Sequence, residues 1–141
     1  MIVYFDTSAF VPLLVTEPGS KACQRLWEEA DDVVTSRLLY VEAAAALAQA
    51  LRLGRLVASQ HRFAIRVLDR LWTEIDVLDV GQHVVGRAAE LAYRCALRSY
   101  DTVHCASAEH LDEGDLVVAT GDRKLAAACQ ELGLAVADVC P

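Results

Sequence analysis

Residues 2–8 of the chain read IVYFDTS, an apolar run that ends on an acid and two hydroxyl side chains. The four residues from Ile2 to Phe5 are typical of a buried strand. Asp6 directly after this strand has two interpretations. It could cap a helix that begins at Ala9, because short oxygen-bearing side chains accept hydrogen bonds from the free amides of a first turn. Alternatively, it could lie at the carboxyl end of a central strand, where open α/β sheets place their ligands.

Strand-like and helical segments alternate along the rest of the chain. Short apolar runs predict further strands over residues 32–35, 75–80, 116–119 and 135–139. Apolar spacing and capping residues predict helices over residues 9–15, 20–30, 38–53, 59–74, 84–97, 101–111 and 124–132. Strands that are apolar nearly throughout and alternate with helices indicate a parallel sheet covered on both faces. The sequence therefore predicts an α/β fold, with one three-layer domain over residues 1–141 and a five-stranded parallel sheet.

The composition limits the class of protein. A chain of 141 residues with 55% hydrophobic residues can bury a full core in one domain. Charged residues interrupt every apolar run well before about 18 residues, so we expect no membrane span. The N-terminus lacks the pattern of a signal peptide, and we expect the protein in the cytoplasm. Five scattered cysteines without a CxxC pair, and histidines without an HExxH motif, argue against a zinc site.

Four acids are predicted to meet at one edge of the sheet. Asp6 and Asp122 each follow a strand, and Asp101 begins a helix that leads back into the strand before Asp122. Glu42 lies about one turn inside the helix that follows the second strand, in an otherwise apolar stretch, so exposure to solvent explains it poorly. The carboxyl ends of parallel strands share one edge, and the helices that run back begin there. We therefore expect these four carboxylates to lie close together.

A cluster of carboxylates needs a counter-charge. Two like charges about 4 Å apart repel by roughly 4 kcal/mol at an effective dielectric constant of 20, so either protons or cations must neutralise the cluster. Hard oxygen ligands without histidine or cysteine favour Mg²⁺ or Mn²⁺. Such ions hold a phosphodiester and activate a bound water. They would also explain how a chain with a net charge of −7 could act on a polyanion, although the acidity could instead serve a basic protein partner.

Each acid also has a purely structural interpretation. Asp6, Asp101 and Asp122 could be helix caps, and Glu42 could be a buried acid paired with an arginine or a hydroxyl. Capping does not exclude metal binding, so these interpretations are compatible with the cluster.

Neighbouring polar residues have two interpretations as well. Thr7, Ser8 and Thr120 could orient the acids or a metal-bound water, or could make only local hydrogen bonds. His104 lies three residues after Asp101, on the same side of the helix, and could contact the cluster or be a satisfied buried histidine. The flanking cations could contact phosphates or be solvated surface charges; they are Arg98, Arg123 and Lys124.

These segments together resemble the PIN-domain nucleases, specifically the VapC-type toxins of prokaryotic toxin–antitoxin pairs. The resemblance rests on DTSA at residues 6–9, the lone Glu42, DTVHCASA from Asp101, and VVATGD followed by RKLAAA from Val117. The motifs cover essentially the whole chain in the family's order. One departure is Gly121, where the family more often has a larger residue.

The resemblance implies an activity, a cofactor and partners. It implies a Mg²⁺- or Mn²⁺-dependent endoribonuclease that cleaves structured RNA such as transfer or ribosomal RNA, forms a homodimer, and is neutralised by a cognate antitoxin. The family's metal ligands, which are also its catalytic residues, correspond to Asp6, Glu42, Asp101 and Asp122. The predicted helical hairpin from Leu38 to Leu71 would then form a groove for an amphipathic antitoxin helix, or serve core and dimer packing.

Two other functions compete with this interpretation. A PIN-like module could bind RNA or protein without catalysis, which a metal titration of RNA cleavage would distinguish. A phosphatase or phosphotransferase with Asp6 as nucleophile is disfavoured, because haloacid-dehalogenase-like enzymes place a second aspartate two residues on, where this chain has Ser8.

Overall fold

The five strands of the computed structural model form one parallel sheet, and the structure describes residues 1–141. The strands are β1 (Ile2–Phe5), β2 (Asp32–Ser36), β3 (Asp76–Leu78), β4 (Leu116–Thr120) and β5 (Ala135–Asp138). Their order across the sheet is β3-β2-β1-β4-β5, and every neighbouring pair is parallel. The predicted five-stranded parallel sheet is therefore confirmed, with β1 at its centre.

Seven α-helices connect and cover the strands. They are α1 (Thr7–Phe10), α2 (Ser20–Glu29), α3 (Leu39–Arg52), α4 (Ala58–Trp72), α5 (Gln82–Cys95), α6 (Ser99–Leu111) and α7 (Arg123–Glu131). A 3₁₀ turn, Val11–Leu13, continues α1. None of these helices combines the length and the apolar character that crossing a lipid bilayer requires.

Several predicted elements differ in extent from the observed ones. Helices α5 and α6 each begin two residues before the predicted starts at residues 84 and 101. The helix predicted over residues 9–15 begins earlier, at Thr7, because Asp6 caps it, and it changes to a 3₁₀ turn at Val11–Leu13. Pro12 lies in that turn and lacks the N–H that an α-helical bond would need. The third strand has only three residues instead of six, because it is the edge strand and pairs with β2 alone.

The core has two layers, one on each face of the sheet. Successive side chains of β1 point to opposite faces, so Phe5 packs into one layer and Tyr4 into the other. The first layer lies under α1, α3 and α4, and its largest buried members include Phe10, Leu39, Leu47 and Leu68. The second lies under α5, α6 and α7, and its members include Leu91, Val118, Leu125 and Cys129. Helices thus cover both faces, which confirms the three-layer architecture.

Helices α3 and α4 pack against each other as the predicted hairpin. Leu39, Ala43 and Leu47 of α3 share a buried cluster with residues of α4. Several large apolar side chains of the hairpin nevertheless remain exposed to solvent; they are Val41, Leu53, Val57 and Phe63.

Candidate active site

Asp6 joins the end of the central strand to the start of the first helix. Its backbone N–H donates to the Ala119 carbonyl over 3.2 Å, which places it beside the end of β4. Its Oδ1 atom accepts from the Ala9 amide at 3.0 Å, so Asp6 does cap α1. The Ser8 hydroxyl donates at 2.7 Å, and the Thr120 hydroxyl donates to Oδ2 at 2.7 Å. Burial raises the pKa of Asp6, and these hydroxyl bonds oppose that rise.

Glu42 is held by a buried chain of hydrogen bonds. Its side chain is only 16% exposed, and Oε1 lies 2.7 Å from Nε2 of His104. The other ring nitrogen of His104, Nδ1, lies 2.7 Å from the Tyr4 hydroxyl. Burial raises the pKa of Tyr4 well above its usual value, so this hydroxyl stays protonated. A carboxylate oxygen accepts hydrogen bonds and cannot donate them. Nε2 then carries the ring proton and donates to Glu42, which fixes the position of this carboxylate.

Asp101 lies in the first turn of α6 without capping it. The helix begins at Ser99 and its N-cap is Arg98, which has no side-chain cap bond. The interpretation of Asp101 as a helix cap is therefore wrong. Burial is the main cause that raises the pKa of Asp101, and the negative charge of Asp122 raises it further. The guanidinium of Arg98, with Nε at 3.6 Å from Oδ2 of Asp101, acts in the opposite direction.

Asp122 caps α7 with a single oxygen atom. Its Oδ1 atom accepts from the amides of Lys124 at 2.9 Å and Leu125 at 3.1 Å, and Oδ2 makes no hydrogen bond within the protein. The preceding Gly121 donates its N–H to the Ser8 hydroxyl at 2.8 Å. A Cβ atom at Gly121 would lie 3.6 Å from that hydroxyl, an ordinary contact, so the backbone here does not require glycine for space.

All four predicted carboxylates line one cleft of about 400 Å³. They come from four separate parts of the chain: the end of β1, the first turns of α3 and α6, and the start of α7. The hydroxyl residues Thr7 and Ser8 and the imidazole of His104 also line the cleft. Thr120 lies behind them, fully buried, and reaches the site through its bond to Asp6.

Glu17 is a fifth carboxylate of the cleft that sequence reasoning missed. It lies between the 3₁₀ turn and α2, in a connection that follows no strand and begins no helix. Rules based on strand ends and helix starts therefore gave no signal for it. Only the path of the chain from Leu13 back across the sheet edge brings this side chain to the other acids.

The donor set of the cleft suits a hard cation. The structure contains no group of three or more histidine, cysteine, aspartate or glutamate side chains already arranged to hold a metal ion. However, burial raises the pKa values of Asp6 and Asp101, and the negative charge of Asp122 raises that of Asp101 further, so a bound cation would stabilise the ionised carboxylates. The available groups are carboxylates and hydroxyls, whereas His104 is engaged by Tyr4 and Glu42. Oxygen donors of this kind fit Mg²⁺ or Mn²⁺ better than zinc.

The flanking cations fall into two groups. Arg98 lines the cleft with a side chain that is 88% exposed, so it is free to move toward a bound anion. Arg123 and Lys124 are exposed on α7 and do not line the cleft. Arg123 and Lys124 are therefore solvated surface charges in this structure.

An apolar groove of about 680 Å³ runs beside the cleft. It lies between the 3₁₀ turn and the hairpin of α3 and α4, and Leu14, Leu47 and Phe63 are among its walls. The groove and the cleft share three lining residues, which are Val11, Glu17 and Ala46. The two depressions are therefore one continuous surface.

Known proteins share both the sequence and the fold. Ribonuclease VapC45 of Mycobacterium tuberculosis (strain CDC 1551 / Oshkosh) is 41% identical over 136 residues, which cover 96% of this chain and 94% of that protein. The crystal structure of M. tuberculosis VapC20, described as a sarcin–ricin loop cleaving toxin, superposes with a TM-score of 0.70 at 21% identity and covers 89% of this chain and 94% of that one. A toxin–antitoxin complex from Klebsiella pneumoniae gives a TM-score of 0.65 at 18% identity, with 97% of each chain covered.

The family assignment rests on the sequence match. The profile of the PIN domain matches residues 3–136, which is nearly the whole chain. The matched range includes the four acids of the cleft, the whole of β2, β3 and β4, and part of β1 and β5. The protein belongs to the PIN-domain family.

Proposed function

We propose that this protein is a metal-dependent endoribonuclease that acts as the toxin of a toxin–antitoxin pair. Membership of the PIN-domain family and 41% identity with a ribonuclease support the activity. One structural observation locates the proposed activity: carboxylates from four separate elements line a single open cleft. Structured RNA, either transfer or ribosomal, is the proposed substrate, and the cytoplasm is the proposed location.

Asp6, Glu42, Asp101 and Asp122 are the proposed ligands of Mg²⁺ or Mn²⁺. Oε2 of Glu42, Oδ2 of Asp122 and the carboxylate of Asp101 accept no hydrogen bond within the protein and are available to a cation. Asp6 is already oriented by the bonds that it accepts from Ser8, Ala9 and Thr120. When bound, the cation would hold a phosphodiester and lower the pKa of a water molecule that attacks phosphorus.

The other residues of the cleft prepare these ligands. Ser8 and Thr120 each donate to Asp6, which orients its carboxylate and opposes the rise in pKa that burial causes. His104 holds Glu42 in the same way. Hydrogen bonds of this kind to metal ligands raise metal affinity, because the oriented ligands lose less conformational freedom on binding. Arg98, at the mouth of the cleft, is proposed to contact a substrate phosphate.

The activity is tested with purified protein and a cellular RNA mixture. Asp6→Asn and Glu42→Gln should remove cleavage without changing the circular dichroism spectrum, while Glu131→Gln, an exposed acid on α7, should cleave like the wild type. EDTA should stop the wild type, and Mg²⁺ or Mn²⁺ should restore it. Undiminished cleavage by either cleft variant would overturn the proposal. Sequencing the new RNA ends would identify the substrate.

A binding module without catalysis is the second candidate. Its scaffold would be the same, so the fold does not separate it from an enzyme. The absence of RNA cleavage by the wild type at every Mn²⁺ concentration would favour it.

The apolar groove is the proposed antitoxin site. An amphipathic helix needs an apolar trough to receive residues spaced three and four apart, and the wall formed by Leu14, Leu47 and Phe63 offers one. The groove opens into the cleft, so a bound antitoxin could cover both. The toxin itself is proposed to be a homodimer, which light scattering of the purified chain would measure.

A further inference from the structure

Positive charge is concentrated on one part of this acidic chain. Residues 43–73, which contain most of the hairpin, have five arginines and a single acid, Asp69, and so carry a net charge of +4, whereas the whole chain carries −7. The carboxylate of Asp69 is already engaged, since it accepts from the Tyr40 hydroxyl at 2.6 Å. The hairpin therefore carries a net positive charge within an acidic chain.

Three of these arginines form a row on α4. Arg62, Arg66 and Arg70 recur every four residues and are all exposed, on the side opposite the buried Ala64 and Leu68. Each four-residue step advances a helix by about 6 Å, which is the scale of the separation between neighbouring phosphates of a nucleic-acid strand. None of the three forms an ion pair within the protein. Arg70 lies near Glu28 in a shallow surface depression, so Arg62 and Arg66 are the least compensated members.

An exposed aromatic ring lies within this row. The guanidinium carbon of Arg66 lies 5.9 Å from the centroid of the Phe63 ring, and Phe63 is 60% exposed. Stacking on an aromatic face orients a guanidinium without removing its hydrogen-bond donors. Phe63 also lines the apolar groove, which is continuous with the carboxylate cleft through Val11 and Ala46. A ligand in the cleft can therefore extend along the surface to the row.

We propose that Arg62, Arg66 and Arg70 bind the sugar–phosphate backbone of the RNA substrate at a distance from the cleft. The inference rests on the proposed ribonuclease function, and it assigns a second contact area to the same RNA. A polyanion fits the row because the charge is unpaired, repeated and of one sign, and because the carboxylate cleft offers an RNA no cationic side chain other than Arg98. The row holds the body of a structured RNA while the scissile bond lies in the cleft.

The test compares two matched pairs of substitutions. Arg62→Gln/Arg66→Gln removes two charges spaced four residues apart on α4, and Lys21→Gln/Arg25→Gln removes two charges with the same spacing on the exposed face of α2. RNA binding is measured by fluorescence anisotropy over a salt series, in an Asp6→Asn background that prevents cleavage. Each lost phosphate contact should reduce the slope of log K against log salt by about 0.7 to 0.9, so the α4 pair should reduce it by roughly 1.4 to 1.8. The α2 pair should leave the slope unchanged.

Cleavage kinetics give a second measurement in the chain that retains Asp6. The α4 pair should raise KM for a full-length structured RNA about tenfold with kcat unchanged, because two backbone contacts are lost and the cleft is intact. A short oligonucleotide that contains only the cut site should be cleaved equally by the wild type and the α4 pair.

The outcomes separate the two proposals. If Arg62→Gln/Arg66→Gln has the salt slope and the KM of the wild type, the arginine row does not bind RNA. The proposed ribonuclease activity is unaffected by that result. If the wild type cleaves no RNA, the proposed ribonuclease activity is wrong. A reduced salt slope in Arg62→Gln/Arg66→Gln would then still support RNA binding by the arginine row. Unchanged RNA binding combined with weaker neutralisation by an antitoxin would show that the row binds protein, and this result overturns the inference.

Discussion

Nε2 of His104 lies 2.7 Å from Oε1 of Glu42, although 62 positions separate the two residues in the chain. His104 is almost fully buried, and its other nitrogen accepts from Tyr4 in the central strand. The central strand thus determines, through the imidazole, where the carboxylate of α3 lies. The proposed metal site therefore depends on a residue that is not itself a proposed ligand.

Two substitutions at His104 separate positioning from packing. In His104→Gln the side-chain amide can occupy the place of Nε2 and still donate to Glu42, whereas in His104→Asn it lies nearer to Nδ1 and leaves Glu42 without a donor. Both replacements bury an amide, so both should lower the thermal midpoint. We expect RNA cleavage to fall about 10- to 100-fold in His104→Asn and substantially less in His104→Gln, as measured by initial rates at saturating Mn²⁺. Equal losses in both variants would show that His104 acts only by packing.

The Thr120 hydroxyl should tune the affinity of the site for metal. Thr120→Val keeps the shape of the buried side chain but removes the donor to Oδ2 of Asp6. Because this bond lowers the pKa of Asp6, its loss should make the carboxylate less available and weaken Mn²⁺ binding about 10- to 100-fold in a calorimetric titration. Thr35→Val is the matched control, since that hydroxyl donates to the Phe5 carbonyl and not to an acid. Its effect should appear in stability and not in metal affinity.

Asp101 should destabilise the metal-free protein at neutral pH. Its pKa is raised above the ordinary 3.8 in the folded state, by burial and then by Asp122, so its ionised form is disfavoured there. Stability should therefore fall as the pH rises from 3.8 through the higher folded pKa, and the full penalty should be present above it. We expect Asp101→Asn in EDTA to have a higher thermal midpoint than the wild type at pH 7. The difference should disappear well below pH 3.8, where both the folded and the unfolded wild type hold the proton.

The control for this prediction is Glu131→Gln, which removes an exposed acid far from the cleft and should not change the midpoint. Added Mg²⁺ should stabilise the wild type more than Asp101→Asn, because only the wild type retains all four proposed ligands. A midpoint of Asp101→Asn below that of the wild type in EDTA would contradict the prediction.

Ala96 has a strained backbone conformation at the end of α5. It ends α5 in the left-handed conformation with φ of 52°, and it is the only residue other than glycine with a positive φ. Ala96→Gly should relieve this conformation and, after the entropy cost of glycine, stabilise the protein by about 0.5 to 1 kcal/mol. The thermal midpoint should rise by roughly 1 to 4 °C in circular dichroism. Ala92→Gly, in the exposed interior of the same helix, should instead destabilise by about 1 kcal/mol.

Filling the apolar groove should separate neutralisation from catalysis. Ala50 lines the groove but not the cleft, so the indole of Ala50→Trp would occupy space proposed for the antitoxin helix. We expect RNA cleavage by this variant to match the wild type, while the cognate antitoxin no longer inhibits it. The measurement is a titration of cleavage with purified antitoxin. Full inhibition of the variant at the wild-type concentration would place the antitoxin elsewhere.

The sequence by itself determined the architecture and the four acids of the cleft. Apolar runs such as Ile2–Phe5 and Leu116–Thr120 can be buried only in a sheet that is covered on both faces, so their alternation with helices specified the layers. Asp6 and Asp122 follow strands, and parallel strands end at one edge, so the rule that united them is local and visible in the chain.

The tertiary structure alone decided which side chains complete the site. Periodicity reports which face of an element is buried, but it does not identify the partner that a buried polar group meets. Three features depend on how separate elements pack: Glu42 bonds to His104, Arg123 lies outside the cleft, and Glu17 lines it. A carboxylate in the first turn of α3 has the same local sequence whether it faces an arginine, a hydroxyl or an imidazole. Only the packing of α6 against the central sheet placed the imidazole there.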